Sequence, residues 1–171
     1  MNQTQKDTFE IVLAGSGGQG LVSSGIMLGE AAIVEGKNVI QTTSYGIAQR
    51  GGLSKAEIII SEREILFQHV RRPDIVLALT DESMNLYASL AKTGMPIFYD
   101  TTLVHEWLGR NLYGYPLTEM AALLGHKGMA NVIALGAMLT HTPMLQIKSL
   151  EVVLQNRFKG KTLDMNIQAL H

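Results

Sequence analysis

The 171 residues predict one three-layer α/β/α domain with a mixed, mostly parallel sheet, a Rossmann-like start and a helical C-terminal third. Three features of the chain point there. Short apolar runs rich in Val, Ile and Leu alternate with segments of helical spacing. The first such run ends in a glycine cluster, LAGSGGQG at residues 13–20, which opens straight into a helix. Beyond residue 115 the strand-like runs cease and apolar residues recur at helical intervals. The length suits a single domain with a substantial core and is short for a two-domain dehydrogenase.

Residues 1–8 are polar and read as a loosely ordered terminus, which leaves 9–171 as the domain. FEIVLA (9–14) is apolar throughout its second half, as a buried parallel strand is. LVSSGIMLGEAAIVEG (21–36) places Leu21, Met27, Leu28, Ala31, Ala32 and Val34 at helical spacing, and Gly36 supplies a residue free to turn left-handed at the helix end. NVIQTT (38–43) is the next strand, so the chain opens as strand, glycine turn, helix and strand, with a right-handed crossover. Residues 44–52 read as a loop. SKAEIIIS (54–61) is β-branched enough for a strand but follows too soon for a helical crossover, so it is expected to run antiparallel to a neighbour. After Pro73-Asp74 come a buried strand at IVLALT (75–80), a short helix at DESMNLYASLAK (81–92) and a strand at PIFYD (96–100). Helices are expected over 118–124, broken at Gly125, over 130–139, stopped by Pro143, and over 149–158.

Composition narrows the function. The formal net charge of −1 offers no bulk electrostatic attraction for nucleic acid or an anionic membrane. With no cysteine, the chain holds no disulfide, and it supplies no thiolate to an iron–sulfur cluster or a structural zinc. The polar MNQTQKD start is not a secretory signal. No uncharged apolar run reaches the ~18 residues that a membrane span needs. The expectation is a cytoplasmic protein.

The loop Gly15-Ser16-Gly17-Gly18-Gln19-Gly20 satisfies the G-x-G-x-x-G pattern of dinucleotide sites. Such a turn aims the unpaired N–H groups of the following helix at an anion. A dinucleotide also needs a carboxylate about 20 residues on, to hold the ribose. Here the second strand ends Gln41-Thr42-Thr43-Ser44, with neither Asp, Glu nor Arg. The NAD or FAD reading therefore mostly fails and ranks behind two others: a tight turn with nothing bound, or a cradle for some other phosphate. In the following helix, Gly25 and Gly29 are four apart on one face, suited to close packing on the sheet or to the approach of another chain.

The second constellation is SYGIAQRGGLSKAEI. Arg50 stands beside Gly51-Gly52, where backbone can approach a partner closely, and its planar fork suits a carboxylate or phosphate. A surface arginine paired with an acid has the same spacing. His69, His105, His126, His141 and His171 show no metal-ligand spacing, so no metal is expected. Asp81 and Glu82 follow the IVLALT strand, where sheet C-terminal ends build sites, but read more simply as the N-cap and a first-turn acid of the next helix, and Asn131 reads as a satisfied core polar group.

The run GSGGQG, then SYG…RGGLSKAEI, then PDIVLALTDES, then NVIALGA resembles the gamma subunit of 2-oxoacid:ferredoxin (acceptor) oxidoreductases, from about Glu10 to the C-terminal helix. The short separate chain looks most like the 2-oxoglutarate type; Ala48 departs from the acidic residue that family members often carry between YG and RGG. The resemblance implies oxidative decarboxylation of 2-oxoglutarate with coenzyme A, giving succinyl-CoA and carbon dioxide and passing electrons to ferredoxin or flavodoxin. Pyruvate, branched-chain 2-oxoacids or indolepyruvate are the other substrates it implies. Thiamine diphosphate with magnesium and the iron–sulfur clusters would sit in alpha, beta and delta-type partners, since this chain also lacks the G-D-G…Asn thiamine signature. No catalytic residue is expected here. Gly15, Gly17, Gly18, Gln19, Gly20, Tyr45, Arg50, Gly51 and Gly52 are the candidates to meet coenzyme A or a substrate carboxylate, in a chain expected to form a gamma–gamma dimer and to be inactive alone. A non-catalytic assembly subunit and a free-standing nucleotide-binding protein are the readings from other classes.

Overall fold

The computed structural model describes residues 6–45, 52–105 and 107–171. Six strands form one sheet, in the order β2 (Asn38–Ser44), β3 (Ser54–Ser61), β1 (Thr8–Gly15), β4 (Ile75–Ala78), β5 (Ile97–Asp100) and β6 (Leu112–Tyr115). β3 runs antiparallel to both β1 and β2, while β4, β5 and β6 continue parallel from β1. The sheet is thus mixed and mostly parallel, as expected. β3 is inserted between β1 and β2, however, so these two strands are parallel without touching. Burial explains the placement. Seven of the eight β3 residues are buried and belong in the sheet interior, whereas β2 is half-buried to exposed, as an edge strand is.

α1 (Leu21–Val34), α3 (Leu117–Leu123), α4 (Ala130–His141), α5 (Ile147–Arg157) and α6 (Gly160–Leu170) cover one face. Leu13, Leu28, Ile58, Leu77, Leu135 and Leu154 meet there in the main core. α2 (Asp81–Tyr87) and a 3-10 turn over Ala88–Thr93 cover the other, where Val12, Val76, Met84, Ile97 and Tyr99 meet. Alternate residues of β1 and β4 feed the two cores, the period of two that a doubly covered sheet requires.

Several boundaries differ from the sequence expectation. Residues 6–8 are tied down: Thr8 pairs with Ser61 in the ladder, the Asp7 carbonyl accepts from Glu62 N–H at 2.9 Å, and Lys6 meets Asp74. The helix expected over 81–92 tightens to 3-10 geometry from Ala88. β6 and α6 are additions. Gly114 hides β6, because glycine reads as a strand breaker. Here it makes room, since a Cβ on it would lie 2.5 Å from Tyr99 Cζ. Gly25 serves packing on the sheet, since a Cβ on it would stand 2.7 Å from Gln41 Nε2, whereas one at Gly29 would meet Val39 Cγ2 at an ordinary contact distance of 3.6 Å. No helix among the described residues is long and apolar enough to cross a membrane.

Candidate functional site

β1 hands the chain to α1 on one face of the sheet, and its parallel neighbour β4 hands it to α2 on the other. Open α/β sheets bind ligands at the carboxyl ends of two strands that diverge in this way. Gly15–Gly20 lies at that point.

Inside the loop each glycine has its own reason, with one exception. A Cβ at Gly15 would stand 2.3 Å from Gln19 Oε1 and 3.1 Å from Leu79 Cβ. Gly18 and Gly20 adopt left-handed φ values of 85° and 75°. A Cβ at Gly20 would also sit 1.9 Å from Asn131 Nδ2. Gly17 is exposed, its φ lies outside the left-handed region, and a Cβ on it would meet nothing within 4 Å. The chain's own sterics do not demand glycine there.

Gln19 is a brace. Its Oε1 accepts from Ser16 N–H at 2.6 Å and its Nε2 donates to the Leu79 carbonyl at 3.1 Å. The two ends of the crevice, after β1 and after β4, are held together by one side chain whose polar atoms are both engaged within the chain. Asn131 is not a core polar group: it stands half-buried at the start of α4, against Gly20. The GGQG and NVIALGA motifs, more than a hundred residues apart, therefore meet.

α1 begins at Gly20 with no side-chain cap and no acid in its first turn. Its leading N–H groups and dipole face the crevice with no local carboxylate to compete, which favours an anion. α2 begins in the opposite manner: Thr80 and Ser83 form a reciprocal cap, and Asp81 and Glu82 fill the first turn. The sequence places the acids correctly and leaves the cap one residue late.

The second constellation flanks the same sheet edge. Tyr45 follows β2 and is exposed, Gly52 is half-buried just before β3, and Ser54 pairs in register with Gly15. Arg50 and Gly51 lie outside the described residues. What the structure brings to one edge is the glycine loop with both ends of the SYG…RGG segment.

Two polar clusters escaped sequence reasoning. His105 is bound twice by Asp81, through its backbone N–H at 3.0 Å and its Nδ1 at 2.7 Å. Those bonds, the backbone one first, hold the Asp81 carboxyl below its ordinary range. On β3, Glu57 is buried, which works to raise its carboxyl. Lys55 at 2.5 Å, with His69 and the Val70 N–H, outweighs burial and holds it below the ordinary range. Their signal is spacing of two along a strand for Lys55 and Glu57, and none at all for the long-range Asp81–His105 pair. Three sizeable clefts lie away from the loop, one of them, of about 850 Å³, beside Lys92, Trp107 and Asn111. A second, of about 870 Å³, includes Lys6, Arg72 and Asp74; the third, of about 710 Å³, is an apolar groove between Met120, Ile133, Ala137 and Leu170. Among the described residues no three His, Asp or Glu side chains gather as a metal-holding group.

Known proteins share this fold. The family described as Pyruvate ferredoxin/flavodoxin oxidoreductase matches residues 10–171. The 2-oxoglutarate synthase subunit KorC of Archaeoglobus fulgidus is 43% identical over 150 residues, covering 87% of this chain and 78% of that one. The gamma subunit of a keto/oxoacid ferredoxin oxidoreductase from Geobacter sulfurreducens superposes with a TM-score of 0.83 at 32% identity, over 96% of this chain and 93% of that one. The 2-oxoglutarate:ferredoxin oxidoreductase from Magnetococcus marinus, solved with 2-oxoglutarate, coenzyme A and succinyl-CoA bound, shares the fold at a TM-score of 0.83 and 22% identity, over 97% of this chain and 30% of that one. With the match spanning the sheet, the glycine loop and the C-terminal helices alike, the chain belongs to the pyruvate ferredoxin/flavodoxin oxidoreductase family.

Proposed function

We propose that this chain is the gamma subunit of a 2-oxoglutarate oxidoreductase, and that its glycine loop holds the pyrophosphate of coenzyme A beside an active site carried by partner subunits. The complex converts 2-oxoglutarate and coenzyme A to succinyl-CoA and carbon dioxide and delivers two electrons to ferredoxin or flavodoxin. Alpha, beta and delta-type subunits hold thiamine diphosphate, magnesium and the iron–sulfur clusters, which supply the carbanion and redox chemistry. This cysteine-free chain binds and orients instead. The observation that carries the reading is Gly17. Open space and an ordinary φ leave close approach by something outside the chain as the reason for glycine, at the one point where α1 presents uncapped N–H groups. Arg50, between Tyr45 and Gly52 in the sequence, supplies the fork for a phosphate.

The test is made in the reconstituted complex. Arg50→Ala loses a charge-assisted hydrogen bond of about 1.5–3 kcal/mol, hence roughly 10- to 150-fold in kcat/KM, expressed as a higher KM for coenzyme A and not for the oxoacid. Arg50→Lys restores only part, since an ammonium lacks the planar fork. Gly17→Ala raises the same KM while leaving the thermal midpoint of the chain unchanged. A higher KM for 2-oxoglutarate alone reassigns the site to the oxoacid. Ordinary kinetics in an intact complex remove the loop from ligand binding.

A further inference from the structure

We propose that two copies of this chain associate through the free edge of β2 and the outer side of α1, extending the sheet across a two-fold axis. The inference adds a contact to the subunit reading above and does not depend on which ligand the glycine loop takes.

β2 has β3 on one side and, among the described residues, no strand on the other. Proteins that stay single guard such an edge with charge, proline, a bulge or brevity. β2 has none of these. Asn38-Val39-Ile40-Gln41-Thr42-Thr43-Ser44 is seven residues long, uncharged and free of proline, and it pairs with β3 in unbroken register. The opposite edge is protected: β6 is only four residues long and runs into Pro116.

The helix above this edge matches it. Gly25 and Gly29 seat α1 on Gln41 and Val39 of β2. About a quarter-turn round the helix from those glycines, Ile26 and Ile33 form a stripe that is 40% and 63% exposed. The corresponding pair on the other side, Ser24 and Ala31, is buried toward the core. The exposed apolar stripe therefore overhangs the unpaired strand, and the two make one surface.

Charge selects the occupant. A two-fold contact sets the strand against its own copy, where an ionised residue at the axis would face its own like charge. β2 contributes none. Beside the stripe, Glu30 is already neutralised by both nitrogens it reaches on Arg157, at 2.8 and 2.9 Å. Lys37, next to the strand, is held by Glu35 at 3.1 Å and Glu62 at 3.4 Å. A neutral, uncharged edge with an apolar stripe suits a second copy of itself, and an antiparallel pair satisfies the unpaired backbone groups of both.

Sedimentation of the full chain between about 1 and 100 μM should give a concentration-dependent dimer, and Ile33→Lys should weaken it by more than about tenfold without altering the thermal midpoint. Leu123→Lys, at a still more open site on the apolar groove, should leave the dimer unchanged. Because the chain has no cysteine, single replacements report the axis directly: among Ile40→Cys, Gln41→Cys and Thr42→Cys, oxidised dimer should peak at one position, with Gln155→Cys on α5 as the silent control. A monomer throughout the range, or a dimer broken by Leu123→Lys and indifferent to Ile33→Lys, overturns the proposal. So does a β2 cysteine that cross-links only to another subunit of the assembled complex. Each of these outcomes leaves the coenzyme A kinetics of the complex untouched, so the two readings fail separately.

Discussion

At residue 20 a methyl group meets two obstacles: a left-handed φ of 75° and the amide of Asn131. Gly20→Ala should therefore destabilise the chain by about 1–2 kcal/mol from backbone strain alone, and Asn131→Ala in the same chain should recover only the steric share. Thermal unfolding of the single and double variants separates the two. Glu57 makes a second test, in pH. Its carboxyl lies below the ordinary value of 4.5 when folded, so the pairing with Lys55 stabilises at neutral pH and is lost as pH falls through that lowered value. The gap in thermal midpoint between the native chain and Glu57→Gln should be full at pH 7, begin to close near pH 4.5 and vanish in stronger acid. A gap that stays constant with pH would assign Glu57 a packing role only.

At the scale of elements, Gly136 on α4 decides where α6 can lie. A Cβ there would stand 2.2 Å from the Leu170 carbonyl oxygen, a backbone atom at the end of α6 that cannot rotate aside. Gly136→Ala should cost about 1–3 kcal/mol through overpacking and loosen α6 before the rest, which hydrogen exchange of residues 160–170 would resolve from global unfolding. This contact also shows what the sequence could and could not reveal. β1, α1 and β3 were legible because each combines strong periodicity with turn residues at its ends. The insertion of β3 between β1 and β2 was not, since strand order follows from long-range burial, and the β-branched stretch at 54–61 looks alike at an edge or in the interior. β6 stayed hidden behind Gly114. In the site, the glycine loop was readable from its spacing. Gln19's brace, Asn131's contact and the Asp81–His105 pair were not, because each joins residues that only the folded sheet edge brings together.

For the whole molecule, the isolated chain should turn over no 2-oxoglutarate with coenzyme A and a viologen dye, and activity should appear on adding the partner subunits. Turnover by the pure chain would end the subunit reading. The inserted strand carries a consequence of a different kind, in time. As the chain leaves the ribosome, β1, α1 and β2 emerge first, yet β2 has no hydrogen-bonding neighbour until β3 has been made and has slid between it and β1. Every ladder contact of β2 is made with a strand that is synthesised later, and β1 gains its own second neighbour only with β4. The pairing of β1 and β2 with their neighbours must therefore wait for about half of the chain, a non-local topology of the sort that folds slowly. Nascent chains arrested with β2 outside the exit tunnel and β3 still inside it should expose the β2 stretch to chaperones, and chains arrested after Ala78 has emerged should shield it.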